Sequence, residues 1–257
     1  MKIAAMVMAA GRGERMRPLS DLQPKPLLRV HGRPLIESVL QSLAQGACSR
    51  AVINTAWLGE QISEQLGAVF EPQAAAGRSG ARLPLAYSKE GQDFGRALET
   101  AGGIARALPL LCPDKAAQVF WLAAADVYAP DFEFAAADVE RFLASDHLAQ
   151  LWLVPNPAHH LQGDFGISAS GLAQNLGPDD AGQRWTYSTI GLFRAALFQK
   201  PWCTLAWGNP QGESAALAPL LRAAMDQGRI AAQLYRGRWV DVGTPERLAL
   251  LNQATIH

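Results

Sequence analysis

The chain is short of several things, and each shortage closes off a class of function. It has only three cysteines, Cys48, Cys112 and Cys203, odd in number and far apart. No pair has the short spacing of a zinc knuckle or redox motif, so the thiols read as structural or incidental ones in a reduced, cytoplasmic chain. A catalytic cysteine, which needs a specific activating site, is not expected. Excess charge is also missing: 23 Lys and Arg balance 23 Asp and Glu. A general nucleic-acid binder or membrane-surface binder usually carries a basic excess, so neither is expected, and any anion site must come from local charges. No apolar run is long enough to cross a bilayer. The run Ile3–Ala10 only loosely imitates a signal peptide, being short and followed by a Gly-Arg segment. There is no internal repeat, low-complexity tail or convincing linker. What is plentiful is apolar material, 49% of 257 residues, enough for one large core.

That apolar material falls in runs without alternation, as in strands buried on both faces of a parallel sheet. The candidates are Ile3–Ala10, Ala51–Thr55, Gln118–Ala125 and Leu148–Val154. Between them lie helical patterns: one opened by Pro34 and carrying Leu35, Ile36, Val39, Leu40 and Leu43, then Leu58–Leu66 and Thr100–Leu108. Strand alternating with helix predicts an α/β sheet with right-handed crossovers. Further on, Trp185–Phe193, Ile230–Tyr235 and Arg238–Val242 read as strands, and Ala215–Met225 and Pro245–Asn252 as helices. Glu71–Arg82 reads as a surface loop, and Asn156–Asp180 as turns with short strands.

The densest signal follows the first strand. Gly11-Arg12-Gly13-Glu14-Arg15-Met16-Arg17-Pro18 is followed shortly by Pro24-Lys25-Pro26-Leu27. Ligands of open α/β sheets bind at the carboxyl ends of strands. Glycines there let the backbone take strained angles and approach phosphate oxygens, and their N–H groups can form an anion nest. Arg15 and Arg17 add charge with geometry suited to phosphate. Prolines on both sides of Lys25 restrict where it points, which suits an electrophilic clamp. A dinucleotide fingerprint would need a third glycine where Met16 stands, and a Walker A loop would need a terminal Gly-Lys-Ser/Thr that is absent. Two acids stand at the ends of apolar segments: Asp126, and Asp241 within Trp239-Val240-Asp241-Val242-Gly243-Thr244-Pro245. Taken alone, each reads first as a turn or cap acid and second as a cation ligand; magnesium needs only one or two carboxylates plus substrate phosphates. Asp126-Val127-Tyr128 is not the Asp-x-Asp of many glycosyltransferases.

The glycine and Pro-Lys-Pro segments together resemble the signature of the sugar-1-phosphate nucleotidylyltransferases, and the resemblance runs to about Leu248. It implies a Rossmann-like mixed, mainly parallel sheet flanked by helices, with a small substrate-facing lobe. It implies one nucleotidyltransferase domain over 1–257, with 1–130 mainly nucleotide-binding and 131–257 mainly sugar-phosphate-binding and closing. The implied reaction joins a nucleoside triphosphate to a sugar 1-phosphate and releases pyrophosphate. By resemblance Asp126 and Asp241 hold Mg2+, Arg15 and Lys25 serve catalysis, and Ala10, Gly11, Arg12 and Gly13 bind the nucleotide.

Other segments resemble the branch of that family that acts on UTP and N-acetylmuramate 1-phosphate in peptidoglycan recycling. They are Asn54–Gly59, Leu98–Ile104, Asn156–His160 with Gly163-Asp164-Phe165, and Tyr235–Asp241. The resemblance places Glu99, Thr100 and Gly103 near the base, and Ala124, Asn156 and Asp164 near the sugar phosphate. The branch carries Asn-Gly-Asp where this chain has Ala124-Ala125-Asp126, and Gln92–Ala97 reads as an insertion. Ala124 therefore keeps open a relative that uses another sugar or UTP, dTTP, CTP or GTP. A non-catalytic nucleotide-sensing subunit would have lost the acids or the lysine, which this chain keeps. No long C-terminal extension of the left-handed β-helix kind follows, so a monomer is expected.

Overall fold

The first strand shows why the sheet lies between two layers. Ile3, Ala5 and Val7 enter one buried cluster, and Ala4 and Met6 enter another on the opposite side. A strand apolar on both faces must be covered on both faces. The computed structural model describes residues 1–73, 80–113, 118–177 and 179–254. In it the strands β1 (Ile3–Met8), β2 (Cys48–Thr55), β3 (Val69–Phe70), β4 (Leu83–Lys89), β5 (Val119–Ala124), β6 (Ala149–Val154), β7 (Thr186–Arg194) and β8 (Ile230–Leu234) form one sheet. Their order is β8-β6-β7-β5-β1-β2-β4-β3. The pairs β1–β2, β1–β5, β2–β4 and β6–β8 are parallel, while β7 runs antiparallel to both β5 and β6. The sheet is mixed and mainly parallel.

Helices Leu35–Gln45 and Ala136–Ala144 supply Ile36, Leu40, Val139 and Phe142 to one face. Helices Glu99–Leu111 and Leu217–Met225 supply Ile104, Leu108, Leu217 and Leu221 to the other. The chain leaves β1 over the first face to reach β2, and returns from β4 to β5 through the helix on the second face. The crossovers therefore diverge around β1, which opens a crevice at its carboxyl end.

The expected strands are present with shifted ends: β2 starts earlier than expected, at Cys48, β7 runs on to Arg194, and β1 and β8 stop short at Met8 and Leu234. Ala9-Ala10 and Ala125 lie outside the ladders because the chain is already turning into the site. Several elements escaped the sequence reading, among them β3, β4 and the helix Ala136–Ala144. In β4, Leu83 and Leu85 are buried but Pro84, Ala86 and Tyr87 are not, so it lacks a continuous apolar run. Helix Ala136–Ala144 buries only Val139 and Phe142. Of the expected surface loop Glu71–Arg82, residues 74–79 lie outside the described residues.

A third cluster matters for the site. Met16, Leu28, Val30 and Leu35 pack against Val242, Leu248 and Leu251. This docks the closing helix Pro245–Gln253 beneath the glycine segment. Thr244 caps that helix by accepting the Arg247 N–H, with Pro245 in its first turn. Met16, completely buried, stands where a dinucleotide fingerprint has its last glycine, and here it anchors the loop from below.

Candidate active site

The crevice at the end of β1 holds a cleft of about 640 Å³. Gly11, Gly13, Glu14 and Arg15 of the glycine segment line it, with Lys25, Glu99, Thr100, Ala124 and Asp126. Gly13 has φ +66°, and a Cβ there would sit 3.1 Å from Lys25 Cβ, so this position needs glycine for both reasons. Gly11 differs from the expectation of strained backbone: its φ is not left-handed and nothing lies within 4 Å of a Cβ placed there. That open side belongs to the cleft, and a side chain would intrude on it. Ser20 Oγ donates to the Gly13 carbonyl at 2.8 Å, and Trp57 Nε1 donates to the Ser20 carbonyl at 2.9 Å. Arg12 lies over the Trp57 ring at 4.0 Å and is not among the cleft's lining residues. Arg15 does line the cleft, is exposed, and has no ion-pair partner among the described residues.

Lys25 is only 7% exposed, and its Nζ donates to Asp126 Oδ2 at 2.5 Å. A buried ammonium is tolerable here because the pairing is charge-assisted and short. Asp241 reaches the same end of the cleft by a different route. Val240–Asp241 pairs antiparallel with Val127–Tyr128, and the Val242 N–H donates to the Asp126 carbonyl at 3.0 Å. Asp241 itself is not a lining residue, but its neighbour Gly243 is. Its Oδ2 accepts from Arg247 Nη1 at 2.7 Å and lies 3.3 Å from His159 Nε2. Asp126, in the turn before Val127–Tyr128, and Asp241, on the strand paired with it, are thus joined through backbone bonds, each carboxylate held by its own cation.

No cluster of three or more His, Cys, Asp or Glu side chains among the described residues is placed to hold a metal ion. Two carboxylates offer a hard oxygen set, which suits magnesium completed by phosphate oxygens and water, and which a soft or self-sufficient metal site would not match. Adjacent His159 and His160 diverge, as neighbours on most backbones do: His160 Nε2 lies 3.0 Å from Asp164 Oδ1.

A second hollow of about 540 Å³ adjoins the first, and Met8, Glu99, Thr100 and Ala124 line both. Its remaining wall is largely apolar, including Leu122, Phe165, Leu217 and Leu221, with Asp164 and Thr189 as polar points. Asp164 is fixed on both oxygens, since the Tyr187 N–H donates to Oδ2 at 2.8 Å. Glu99 has φ +58°, a rare conformation for a non-glycine residue, at the rim shared by both hollows. Asn156 lines neither hollow. Its amide donates to the carbonyls of Leu161 and Arg184 and accepts from Thr186 Oγ1, so it braces the loop that carries Asp164.

The family model described as Nucleotidyl transferase matches residues 4–169, which take in the glycine segment, Lys25, Asp126 and Asp164. The chain belongs to the nucleotidyl transferase family. A relative in Neisseria meningitidis serogroup B, named N-acetylmuramate alpha-1-phosphate uridylyltransferase, is 42% identical over 95% of this chain and 94% of its own length. One of the same name in Caulobacter vibrioides is 33% identical over 94% of this chain and 92% of its own. A putative glucose-1-phosphate thymidylyltransferase from Bacillus anthracis, at 19% identity, superposes with a TM-score of 0.69 over 100% of this chain and 98% of that one. That likeness establishes the shared fold. As a nucleotidyl transferase, the chain is an enzyme whose cleft follows the family's sheet plan. No helix among the described residues is long and apolar enough to cross a membrane.

Several residues that shape this nucleotidyl transferase's site escaped the sequence reading as site residues. Asn54 and Glu90 line the first cleft, and both are completely buried. Asn54 ends an apolar strand run, which was a usable signal; Glu90 sits in a stretch with no apolar period and gave none. Arg247 was hidden in the closing helix, where a basic residue in the first turn has no stated use. Gly103, expected near the base, lies behind Asn54 and Glu90 and is not a lining residue.

Proposed function

We propose that the chain is a cytoplasmic uridylyltransferase converting UTP and N-acetylmuramate 1-phosphate to UDP-N-acetylmuramate and pyrophosphate, in peptidoglycan recycling. The observation that carries this reading is the pair of adjoining hollows with a shared wall at Met8, Glu99, Thr100 and Ala124. A triphosphate suits the hollow rich in backbone amides and cations, and a sugar suits the apolar one with fixed polar points. Their reacting phosphates would meet at the Lys25–Asp126 pair.

The sugar phosphate oxygen attacks the α-phosphorus in line. The bond from that phosphorus to the bridging oxygen of the β-phosphate breaks, and pyrophosphate leaves with the electron pair. The nucleophile is already ionised, so no general base is needed; catalysis rests on positioning and charge neutralisation. Lys25 neutralises charge at the attacking and α-phosphates. Arg15, exposed and without an ion-pair partner among the described residues, stabilises the leaving pyrophosphate. Asp126 and Asp241 would hold magnesium, which supplies further charge neutralisation at the phosphates. Lys25 and Arg247 stand in as counter-ions to those acids.

A panel of nucleoside triphosphates against sugar 1-phosphates, followed by pyrophosphate release, tests the reading. The expected result is a preference of at least an order of magnitude in kcat/KM for the UTP and N-acetylmuramate 1-phosphate pair. A faster reaction with another sugar would overturn it, and Ala124 on the shared wall is the residue that keeps this second reading in play.

A further inference from the structure

Three hydrogen bonds run behind the first cleft and join three separate segments. The Ala9 N–H, where the chain leaves β1, donates to Asn54 Oδ1 at 2.7 Å. Asn54 Nδ2 donates to Glu90 Oε1 at 2.7 Å. The Leu98 N–H, one residue before the left-handed Glu99, donates to Glu90 Oε2 at 2.8 Å. Asn54 and Glu90 are both 0% exposed. Glu90 forms no ion pair among the described residues; Arg106, whose charge it feels, is engaged with Asp93 instead. Burial pushes the Glu90 carboxyl up, against the lowering effect of its two donors.

Leaving a carboxylate in such a place is costly, and an apolar pair of similar volume would fill it with less penalty. The surroundings are nonetheless fitted to it. A Cβ at Gly103 would lie 2.6 Å from Glu90 Oε1 and 3.0 Å from Asn54 Nδ2, so only glycine lets the helix Glu99–Leu111 pass so close. The two bonded backbone amides belong to the two segments that flank the cleft, the start of the glycine segment and the turn that presents Glu99 and Thr100.

We propose that Asn54 and Glu90 form a buried positioning brace that sets the spacing between the glycine segment and the Leu98–Glu99 turn, and thereby governs how the nucleotide, and not the sugar phosphate, is held. The proposal rests on the reading of the first cleft as the triphosphate site.

The brace has a defined order of donors, which makes it testable by exchange. In Glu90→Gln every placement of the two amides leaves one N–H facing another. In Asn54→Asp two carboxylate oxygens face each other. The double variant Asn54→Asp/Glu90→Gln restores all three bonds with the middle donor reversed. Steady-state constants for UTP and for N-acetylmuramate 1-phosphate are measured for all four proteins alongside thermal unfolding. Each single variant is expected to raise KM for UTP about tenfold, the size expected for one buried unsatisfied group, with KM for the sugar phosphate unchanged. The double variant is expected to recover most of that loss.

Single variants that unfold at lower temperature but keep both KM values would reduce the pair to ordinary scaffolding and overturn the proposal. So would equal rises in both KM values, or a double variant no better than the singles. If a single variant does not fold, Gly103→Ala, which presses on the brace without removing a polar atom, is held to the same criterion. A wild type inert towards UTP would fault the substrate assignment instead. The brace is then judged by amide hydrogen exchange at Ala9 and Leu98, whose protection must fall in the single variants and return in the double.

Discussion

The two hollows that meet at Ala124 are walled in opposite ways. The first draws on one short stretch of chain, Ala9 to Pro26, with Asp126 and the Leu98–Thr100 turn added across it. Its ligand-facing chemistry is backbone amide, lysine, arginine and carboxylate. The second is gathered from β5, β7, the loop carrying Asp164 and the helix Leu217–Met225, and it is mostly apolar. The contrast matches the two kinds of cargo proposed. Phosphate chains share one geometry, so a single local motif can serve them. A particular sugar must be enclosed by shape, which takes side chains from many places.

The largest test of that contrast strikes the edge the hollows share. Asp126→Asn keeps the size of the side chain and removes its charge. kcat is expected to fall by about two to three orders of magnitude, as when a preorganised charge-stabilising group is removed from a reacting centre. Lys25 would lose its anion, and a stability loss of about 1–3 kcal/mol should accompany the change. That is within the margin of an ordinary domain, so the protein stays folded. Pyrophosphate release and thermal unfolding together check both parts. Near-wild-type turnover would remove Asp126 from the reaction.

The same contrast explains what the sequence revealed. Gly13, Lys25 and the prolines around it are close in the chain, so their joint meaning could be read directly. The central strands were legible because burial on both faces leaves an unbroken apolar run, as in Val119–Ala124. Lys25 and Asp126 are 101 positions apart, and their 2.5 Å contact follows from β1 lying beside β5, which no local pattern states. Of the second hollow's wall, Glu99, Thr100, Ala124 and Asp164 were reached through the resemblance, but its apolar part left no trace. Leu122, Leu217 and Leu221 look like any core residues until the topology turns them towards an open space. Asn156 shows the reverse case: a polar residue in a promising motif is engaged with the carbonyls of Leu161 and Arg184 and the hydroxyl of Thr186, and lines neither hollow. Buried polar pairs such as Asn54 and Glu90 are a further blind spot, because even where one member ends an apolar run, as Asn54 does, only the contact between them is informative.

Arg15 sharpens the comparison from the nucleotide side. It is exposed and has no ion-pair partner among the described residues, so Arg15→Ala should change stability by less than about 0.5 kcal/mol. Its loss removes a charge-assisted contact to phosphate, and kcat/KM for UTP is expected to fall about tenfold or more. KM for the sugar phosphate should not move. Initial rates with each substrate varied in turn separate these outcomes. If both substrates weakened together, the two hollows would have to be treated as one electrostatic site.

The smallest effect is expected on the apolar side, at Tyr187. Its ring is partly open to the second hollow, but its hydroxyl oxygen is covered and has no hydrogen-bond partner. Burial pushes the phenol far above its ordinary range, so it stays neutral at any working pH. A buried hydroxyl without a partner costs about 1–3 kcal/mol relative to a satisfied one. Tyr187→Phe should therefore leave the unfolding temperature unchanged or raise it, and change neither KM by more than about twofold, the scale of a neutral substitution. A tenfold loss for the sugar phosphate alone would mean that the hydroxyl turns to meet the sugar. The second hollow would then read its ligand through directed hydrogen bonds as well as shape, and its difference from the first would be one of degree.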